Sequence, residues 1–298
     1  MSLSKSELRA TLVVSLIFSM RLLGLFILLP VFSLYASEYN HSSAFLAGVA
    51  IGSYSLAQAI MQIPMGYLSD KFGRKKIVIF GLILFSTGSL ICFYANQINI
   101  LILGRVIQGL GAISSVGIAT LSENTSEENR ASAFTIMGIA VGGSFFIGFL
   151  AGPYFASLYS FKSLFILLLA FGIIATFITF LYYPNDLKQS KKVSKISFKY
   201  NNKLVQIYLG SFFLSLILSI MLYVFPLIWR DLGTLNEDLF STYLKIFLPA
   251  AIIIYPSIRF FEKIKKVNIA INLGWFFLIV AFLAYILLPS NIYCFPFM

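Results

Sequence analysis

The chain has 298 residues, 59% of them apolar and only 11% charged, and a net charge of +11. Soluble domains carry about 25% charged residues, so this composition excludes a chain that covers a water-facing surface of its own. So basic a soluble protein would raise nucleic acid as a partner, but here the lysines and arginines fall between apolar runs, and membrane topology accounts for them without nucleic acid.

The apolar residues gather into runs of roughly 20, the length a helix needs to cross hydrocarbon. Nine spans are predicted, at 10–35, 44–68, 76–95, 99–121, 131–156, 161–183, 204–228, 243–260 and 268–288. Each must be helical, because an open strand in lipid leaves main-chain groups unpaired. The first run continues from Leu12 to Leu34 without a small-residue cleavage pattern, so it reads as a span and not as a signal peptide. With the N-terminus in the cytoplasm, Lys5, Arg9, Lys71, Arg74, Lys75, Lys76, Arg130, six lysines between 188 and 203, Arg259, Lys263, Lys265 and Lys266 lie inside. Only Lys162, Arg230 and Lys245 then lie outside, and Arg21 and Arg105 fall within spans. That bias sets the orientation under the positive-inside rule.

Span one carries Arg21 near its middle, in Arg21-Leu22-Leu23-Gly24-Leu25-Phe26 ahead of Pro30. At that depth it either faces a cavity, where it attracts an anionic group or couples to protonation elsewhere, or pairs with a polar neighbour. Beyond the span, Glu38 and His41 either titrate or form a solvated outer loop. In span two, Tyr54, Gln58 and Gln62 recur every four residues on one face, a polar stripe that points into the bundle, to substrate or to neighbouring helices. The loop after span two reads Gly66-Tyr67-Leu68-Ser69-Asp70-Lys71-Phe72-Gly73-Arg74-Lys75-Lys76. Gly66 allows close helix approach, Asp70 caps a helix or meets a basic partner, Gly73 permits the tight turn, and the cations sit at the anionic inner leaflet.

Span four contains Gly104-Arg105-Val106-Ile107-Gln108-Gly109. Arg105 lies close enough to the outer start of the span to snorkel, or faces a cavity with Gln108. Arg130 follows Glu127 and Glu128 at the next inner loop, within plausible reach of Asp70. Span five has two clusters of small residues one turn apart, Gly138 with Gly142 and Gly143, then Gly148 with Gly152 and Pro153, a pattern for close helix packing. The stretch 184–203 is a basic, solvated linker. It divides a six-helix bundle, 1–183, from a three-helix segment, 204–298. A weak repeat relates Pro64 with Asp70-Lys71 at the end of span two to Pro256 with Glu262-Lys263 at the end of span eight.

The loop from Gly66 to Lys76 resembles, almost residue for residue, the signature loop of the major facilitator superfamily. The Arg105 segment resembles that superfamily's fourth-helix motif, common in proton-coupled drug exporters, and the Gly148–Pro153 cluster resembles in part their antiporter motif. The span-one pattern is similar to the first helix of the YajR-like exporters. The resemblance implies an all-α polytopic membrane protein with a six-helix N-terminal bundle and an incomplete C-terminal bundle. It further implies a multi-pass protein of the bacterial inner membrane that exports a small molecule, with the proton as coupling ion. Arg21, Tyr54, Gln58, Gln62, Arg105 and Gln108 would line the substrate cavity. Gly66, Asp70, Gly73, Arg74, Lys75 and Arg130 would form the cytoplasmic gate, with Asp70 touching a helix of the second half. Gly148, Gly152 and Pro153 would bend a helix and seal it against leak.

Two departures qualify this expectation. None of the eleven acidic residues falls within a span, so no embedded carboxylate marks a proton site. The family normally has twelve spans, so nine predict a C-terminally truncated chain, with a non-transporting remnant or a half that needs a partner as the alternative to a transporter. One histidine, two cysteines (Cys92 and Cys294) and no metal-ligating cluster give no cofactor site and argue against a membrane enzyme.

Overall fold

A main chain in hydrocarbon has no water to bond to, so it must satisfy its own N–H and C=O groups. The computed structural model, which describes residues 3–36, 38–184 and 202–231 and scattered positions between 241 and 283, meets that demand with helices. In chain order they are α1 (Lys5–Ala36), α2 (Ala44–Phe72), α3 (Arg74–Tyr94), α4 (Ile98–Leu110), α5 (Ser114–Glu123), α6 (Arg130–Leu158), α7 (Phe161–Tyr182) and α8 (Asn202–Asp231). Among the described residues seven segments are long and apolar enough to cross a membrane, α4 and α5 counting together as Ile98–Glu123. The predicted spans 243–260 and 268–288, the linker's lysines, and Pro256 and Glu262 lie wholly or largely outside the described residues. The chain divides into two units, Met1–Trp229 and Arg230–Met298, and the first holds α1 to α7 and all but the last two residues of α8.

Local chemistry sets the helix ends. Ser43 caps α2, its hydroxyl accepting from the Leu46 N–H at 3.2 Å. Ser160 and Ser163 form a capping box at the start of α7. Between α2 and α3 the chain reverses at Gly73 with φ 98°, a backbone conformation that a Cβ disfavours. Asp70 therefore lies in the last turn of α2 and caps no helix.

α1 packs most extensively on α6, α3 on α7 and α4, and α2 on α4. The buried apolar side chains form two layers. One holds Phe18 of α1, Met65 of α2 and Val116 of α5 at the end that carries the basic α2–α3 loop. The other holds Ile27 of α1, Ala50 of α2 and Leu101 of α4 toward the opposite end. On α1, α2 and α4 the gap between the layers is filled by Arg21, Tyr54, Arg105 and Gln108, all buried. Large apolar side chains such as Phe45, Ile63, Phe177 and Phe180 are exposed on the outside, where lipid is their natural neighbour.

Span four differs from its prediction as one helix, because the ladder breaks at Gly111–Ile113. Gly109 and Gly111 each weaken a helix by about 1 kcal/mol. Gly111 also lies main chain to main chain against Gly81 of α3, where a Cβ would overlap the Gly81 carbonyl. The two glycine clusters of α6 also part company. Gly148 and Gly152 sit on the α1 backbone at Phe26 and Ile27, whereas Gly138, Gly142 and Gly143 face open space and pack against no helix of the first unit. Pro153 is buried within α6, which continues through it to Leu158.

Gly109 presses on the Tyr54 carbonyl of α2, so an added methyl meets main chain that cannot rotate away. Gly109→Ala is expected to cost about 1–3 kcal/mol. Gly138→Ala, with nothing within 4 Å, should stay within about 0.5 kcal/mol of the parent. Thermal unfolding of the detergent-purified variants checks this, and equal melting temperatures would refute the close α2–α4 approach.

Candidate functional site

Three arginines are buried in the first unit, and they are partnered in different ways. Arg105, 1% exposed, donates through Nη1 to Gln108 Oε1 at 2.8 Å, one turn on along α4. Gln108 in turn donates to Ser89 Oγ of α3 at 2.7 Å, and Ser89 donates to the Phe85 carbonyl at 2.8 Å. The Arg105 guanidinium lies 4.5 Å from the Tyr54 ring centre and 5.5 Å from that of Phe32. Desolvated cation–π contacts are worth about 2 kcal/mol and charged hydrogen bonds about 1.5–3. These contacts offset part of the cost of burying the charge, put at roughly 3 kcal/mol by insertion scales and above 10 by simulation. The side chain is buried in this network, behind the Phe32 and Tyr54 rings.

Arg21, 2% exposed, has less support. It lies 6.0 Å from the same Tyr54 ring, and its Nε and Nη2 have no hydrogen-bond partner among the described residues. Arg105 Nε and the Tyr54 hydroxyl are likewise buried and unpartnered. Four donor atoms from α1, α2 and α4 are thus held around one ring without an acceptor.

A cavity of about 320 Å³ opens beside Arg105. Its walls are Leu25, Phe26 and Leu29 of α1, Ile51 and Ser55 of α2, Val141, Gly142 and Phe145 of α6, and Leu218, Ser219, Leu222 and Tyr223 of α8. Tyr223 reaches α2, donating to the Ala44 carbonyl at 2.8 Å. Gly142 is therefore cavity wall, which explains a glycine with no helix against it. Of the six residues the sequence placed at the cavity, Arg105 alone lines this one; Tyr54 backs it, and Arg21 and Gln108 stand behind through the ring and the hydrogen bond. Gln58 and Gln62 are half-buried farther along α2 and join neither. The Gln62 carbonyl instead accepts from Ser115 Oγ at 2.8 Å, tying α2 to α5. At the far end, Glu38 and Lys162 border a separate hollow, and Lys162 donates to Asn96 at 2.6 Å.

The third buried arginine, Arg74, heads α3 at the basic end and is fully answered by acids. Its Nη2 lies 3.0 Å from Asp70, and its Nε donates to Glu123 Oε2 at 2.6 Å while Nη2 bonds Oε1 of the same carboxylate. Nη1 adds Ser69 Oγ at 3.2 Å. One guanidinium thus clamps α2, α3 and α5. Gly66 helps through its carbonyl, which accepts from Ser69 Oγ at 2.7 Å. Arg130 stands apart from this cluster: it is exposed, donates to the Ser122 carbonyl at 3.2 Å and lies 3.7 Å from Glu127, so Asp70 is paired with Arg74 in its place. Lys75 lies over Phe180 at 5.6 Å. The helices of the second half that resemblance assigns to Asp70 fall outside the described residues. A second clip at this end joins Glu7 of α1 to the α5–α6 loop, accepting from the Ser126 N–H at 2.8 Å and Asn129 Nδ2 at 3.0 Å. Glu123 and Ser89 were not singled out from the sequence. Glu123 carried a signal, an acid ending span four on the side of the membrane that holds Arg74; Ser89, one serine among several, carried none.

Relatives point the same way as this arrangement. A transporter of Buchnera aphidicola (subsp. Schizaphis graminum), named as uncharacterized, is 40% identical over 227 residues, 74% of this chain and 58% of its own length. The inner membrane transport protein YajR of Escherichia coli is 42% identical over 151 residues, 51% of this chain and 33% of that protein. The class H tetracycline resistance protein of Pasteurella multocida is 30% identical over 148 residues, 49% of this chain and 36% of its own. The chain therefore spans less than two thirds of the length of these relatives. In fold it is similar to the crystal structure of a bacterial homolog of the human lysosomal transporter Spinster, with a TM-score of 0.62 at 17% identity, over 81% of this chain and 59% of that one. The model of the Major Facilitator Superfamily matches residues 14–297, and with that match, the paired basic loop and the all-helical membrane bundle, the chain belongs to the Major Facilitator Superfamily.

Proposed function

We propose that the chain exports a small molecule across the bacterial inner membrane by alternating access, with protons as the driving ion and the basic end in the cytoplasm. The observation that carries this reading is a charged wall in the middle of an apolar bundle. Arg105 borders a cavity enclosed by α1, α2, α6 and α8, and a cationic side chain at membrane depth marks a substrate or ion path. The six-helix N-terminal bundle, 1–183, forms one wall of the path in this reading, and α8 contributes part of the other. Orientation rests on the distribution of lysine and arginine. Export and proton coupling rest on likeness to a tetracycline resistance protein and to the proton-coupled motifs, and no embedded acid of this chain supports the coupling directly.

In this reading the cluster of Arg74, Asp70 and Glu123 is the cytoplasmic latch. Arg74 is buried while Asp70 and Glu123 are part-exposed, so removing either acid leaves a buried charge short of a partner, and in this reading the clamp favours the conformation that keeps them together. Gly73 sets the turn that points Arg74 back at α5.

Efflux-deficient cells producing the protein test the function. They should retain less of at least one member of a broad panel of amphiphilic compounds, and collapse of the proton gradient with an uncoupler should abolish the difference. Unchanged retention across the panel, with the protein inserted in the membrane, would sink the transport reading; transport insensitive to the uncoupler would remove the proton alone.

The latch is tested by Glu123→Gln and Asp70→Asn against Lys75→Gln. Glu123→Gln strips two charged hydrogen bonds from Arg74 and should slow transport about tenfold or more, since 1.4 kcal/mol of lost bias suffices. Lys75→Gln loses one partly exposed ring contact and should change the initial rate less than about twofold. Equal, small effects of all three would count against a gating role.

A further inference from the structure

We propose that Arg21, Arg105 and Tyr54 together form a seat for the acidic group of an organic anion, so that the substrate class is a small carboxylate or phosphate with an apolar body. This rests on the transport reading above and names what the path carries.

The seat is built from unpartnered donors. Arg21 Nε and Nη2, Arg105 Nε and the Tyr54 hydroxyl are all buried without an acceptor among the described residues. The three side chains are 2%, 1% and 1% exposed. They come from three helices and share one ring, with the guanidinium carbons 6.0 and 4.5 Å from its centre. An orphaned buried donor is costly, and a charged one more so. A carboxylate or phosphate offers several lone pairs to planar N–H forks, and an O–H donor completes the set.

Among the described residues no acid fills the seat. The eleven carboxylates lie at the ends of predicted spans or in loops. The acids near Arg74 are occupied at the basic end, and Glu7 is bonded to the α5–α6 loop. The buried arginine that the chain itself answers looks different: Arg74 has two carboxylates and a hydroxyl. Nor can a guanidinium carry the coupling proton, because it does not lose one under protein conditions.

The cavity that Arg105 lines, with Tyr54 and Arg21 behind it, supplies the rest of the ligand's description. Around Arg105 its walls are chiefly hydrocarbon, from Phe26, Leu29, Phe145 and Leu222, with Ser55 and Ser219 as the small polar groups. About 320 Å³ suits a compact ligand at the lower end of known pockets. One acidic head against the arginine and an apolar body against the rings match this division.

The test uses the full chain in nanodiscs of zwitterionic phosphatidylcholine, with benzoate and phenyl phosphate as anions and benzamide and benzylamine as neutral and cationic counterparts. Equilibrium binding of labelled ligand and thermal stabilisation are read together. At least one anion should bind saturably, with benzamide and benzylamine weaker by at least about tenfold, the loss expected for one charged hydrogen bond. Arg21→Gln and Arg105→Gln should each weaken the anion by about tenfold or more, and Arg105→Lys, which keeps the charge but not the fork, by less. Failure of both anions to bind saturably, or equal binding of benzoate and benzamide to the parent chain, would overturn the proposal without recourse to any variant. So would anion binding unchanged in both glutamine variants. Repeating the measurement in anionic phosphatidylglycerol separates the two sources of such a group: undiminished benzoate binding assigns the seat to a water-borne anion, and competitive loss assigns it to a lipid headgroup and overturns the substrate class. Anion binding in a chain that transports nothing would refute the transport reading alone. Export of neutral amphiphiles without anion binding would refute the seat alone.

Discussion

A guanidinium keeps its charge at any pH a cell reaches, so an arginine inside a bilayer must be answered by permanent structure or by something that comes and goes. The first unit of this protein is arranged around that constraint. Its two apolar layers close above and below Arg21 and Arg105, and between them Gln108 and Ser89 support the Arg105 guanidinium. The helices must also come close enough to reach. Gly109 brings α4 onto the α2 backbone at Tyr54, and Gly88 and Gly104 bring α3 and α4 together where Gln108 meets Ser89. A Cβ at Gly88 would stand 2.5 Å from the Gln108 amide nitrogen, well inside the usual contact distance of carbon atoms. The glycines of α3 and α4 thus set the distances on which the arginine network depends.

Much of this was legible in the residues, and for definable reasons. A run of apolar residues long enough to cross hydrocarbon has few other uses, so seven predicted spans match described helices to within a few residues at each end. The positive φ at Gly73 follows from a turn too short for a Cβ-bearing residue to make cheaply. The depth of Arg105 was only half legible. Distance along a helix says how far a side chain lies from the interface, but not which way it points, and the rings of Phe32 and Tyr54 that hold it come from other helices.

What remained hidden depends on partners brought together by the fold. Gln58 and Gln62 share a face with Tyr54, yet only Tyr54 lies level with the arginines; a period of four residues fixes the face and says nothing about height. The break between α4 and α5 was hidden for the same reason, because Gly111 is permissive in any helix and becomes decisive only against Gly81. Likewise, Gly138, Gly142 and Gly143 had the spacing of a packing motif, but α1 meets α6 one to two turns later, at Gly148 and Gly152. Small residues allow close approach; the neighbouring helix decides whether it happens.

The placing of acids separates the two kinds of arginine. At the basic end, Asp70 and Glu123 converge on Arg74 from α2 and α5, so its charge is balanced within the protein and the contact can open only if another arrangement repays it. Halfway through the bundle the same side chain has an amide, two rings and open donors. Two such cations beside one ring repel each other more strongly in low dielectric than in water, so the proposed anion would relieve that repulsion where a neutral ligand would not. A site with that property differs from a packed core, where every group is satisfied in advance. Its free energy falls when a ligand of the opposite charge arrives, and a transport cycle needs that dependence if binding is to shift the balance between its conformations.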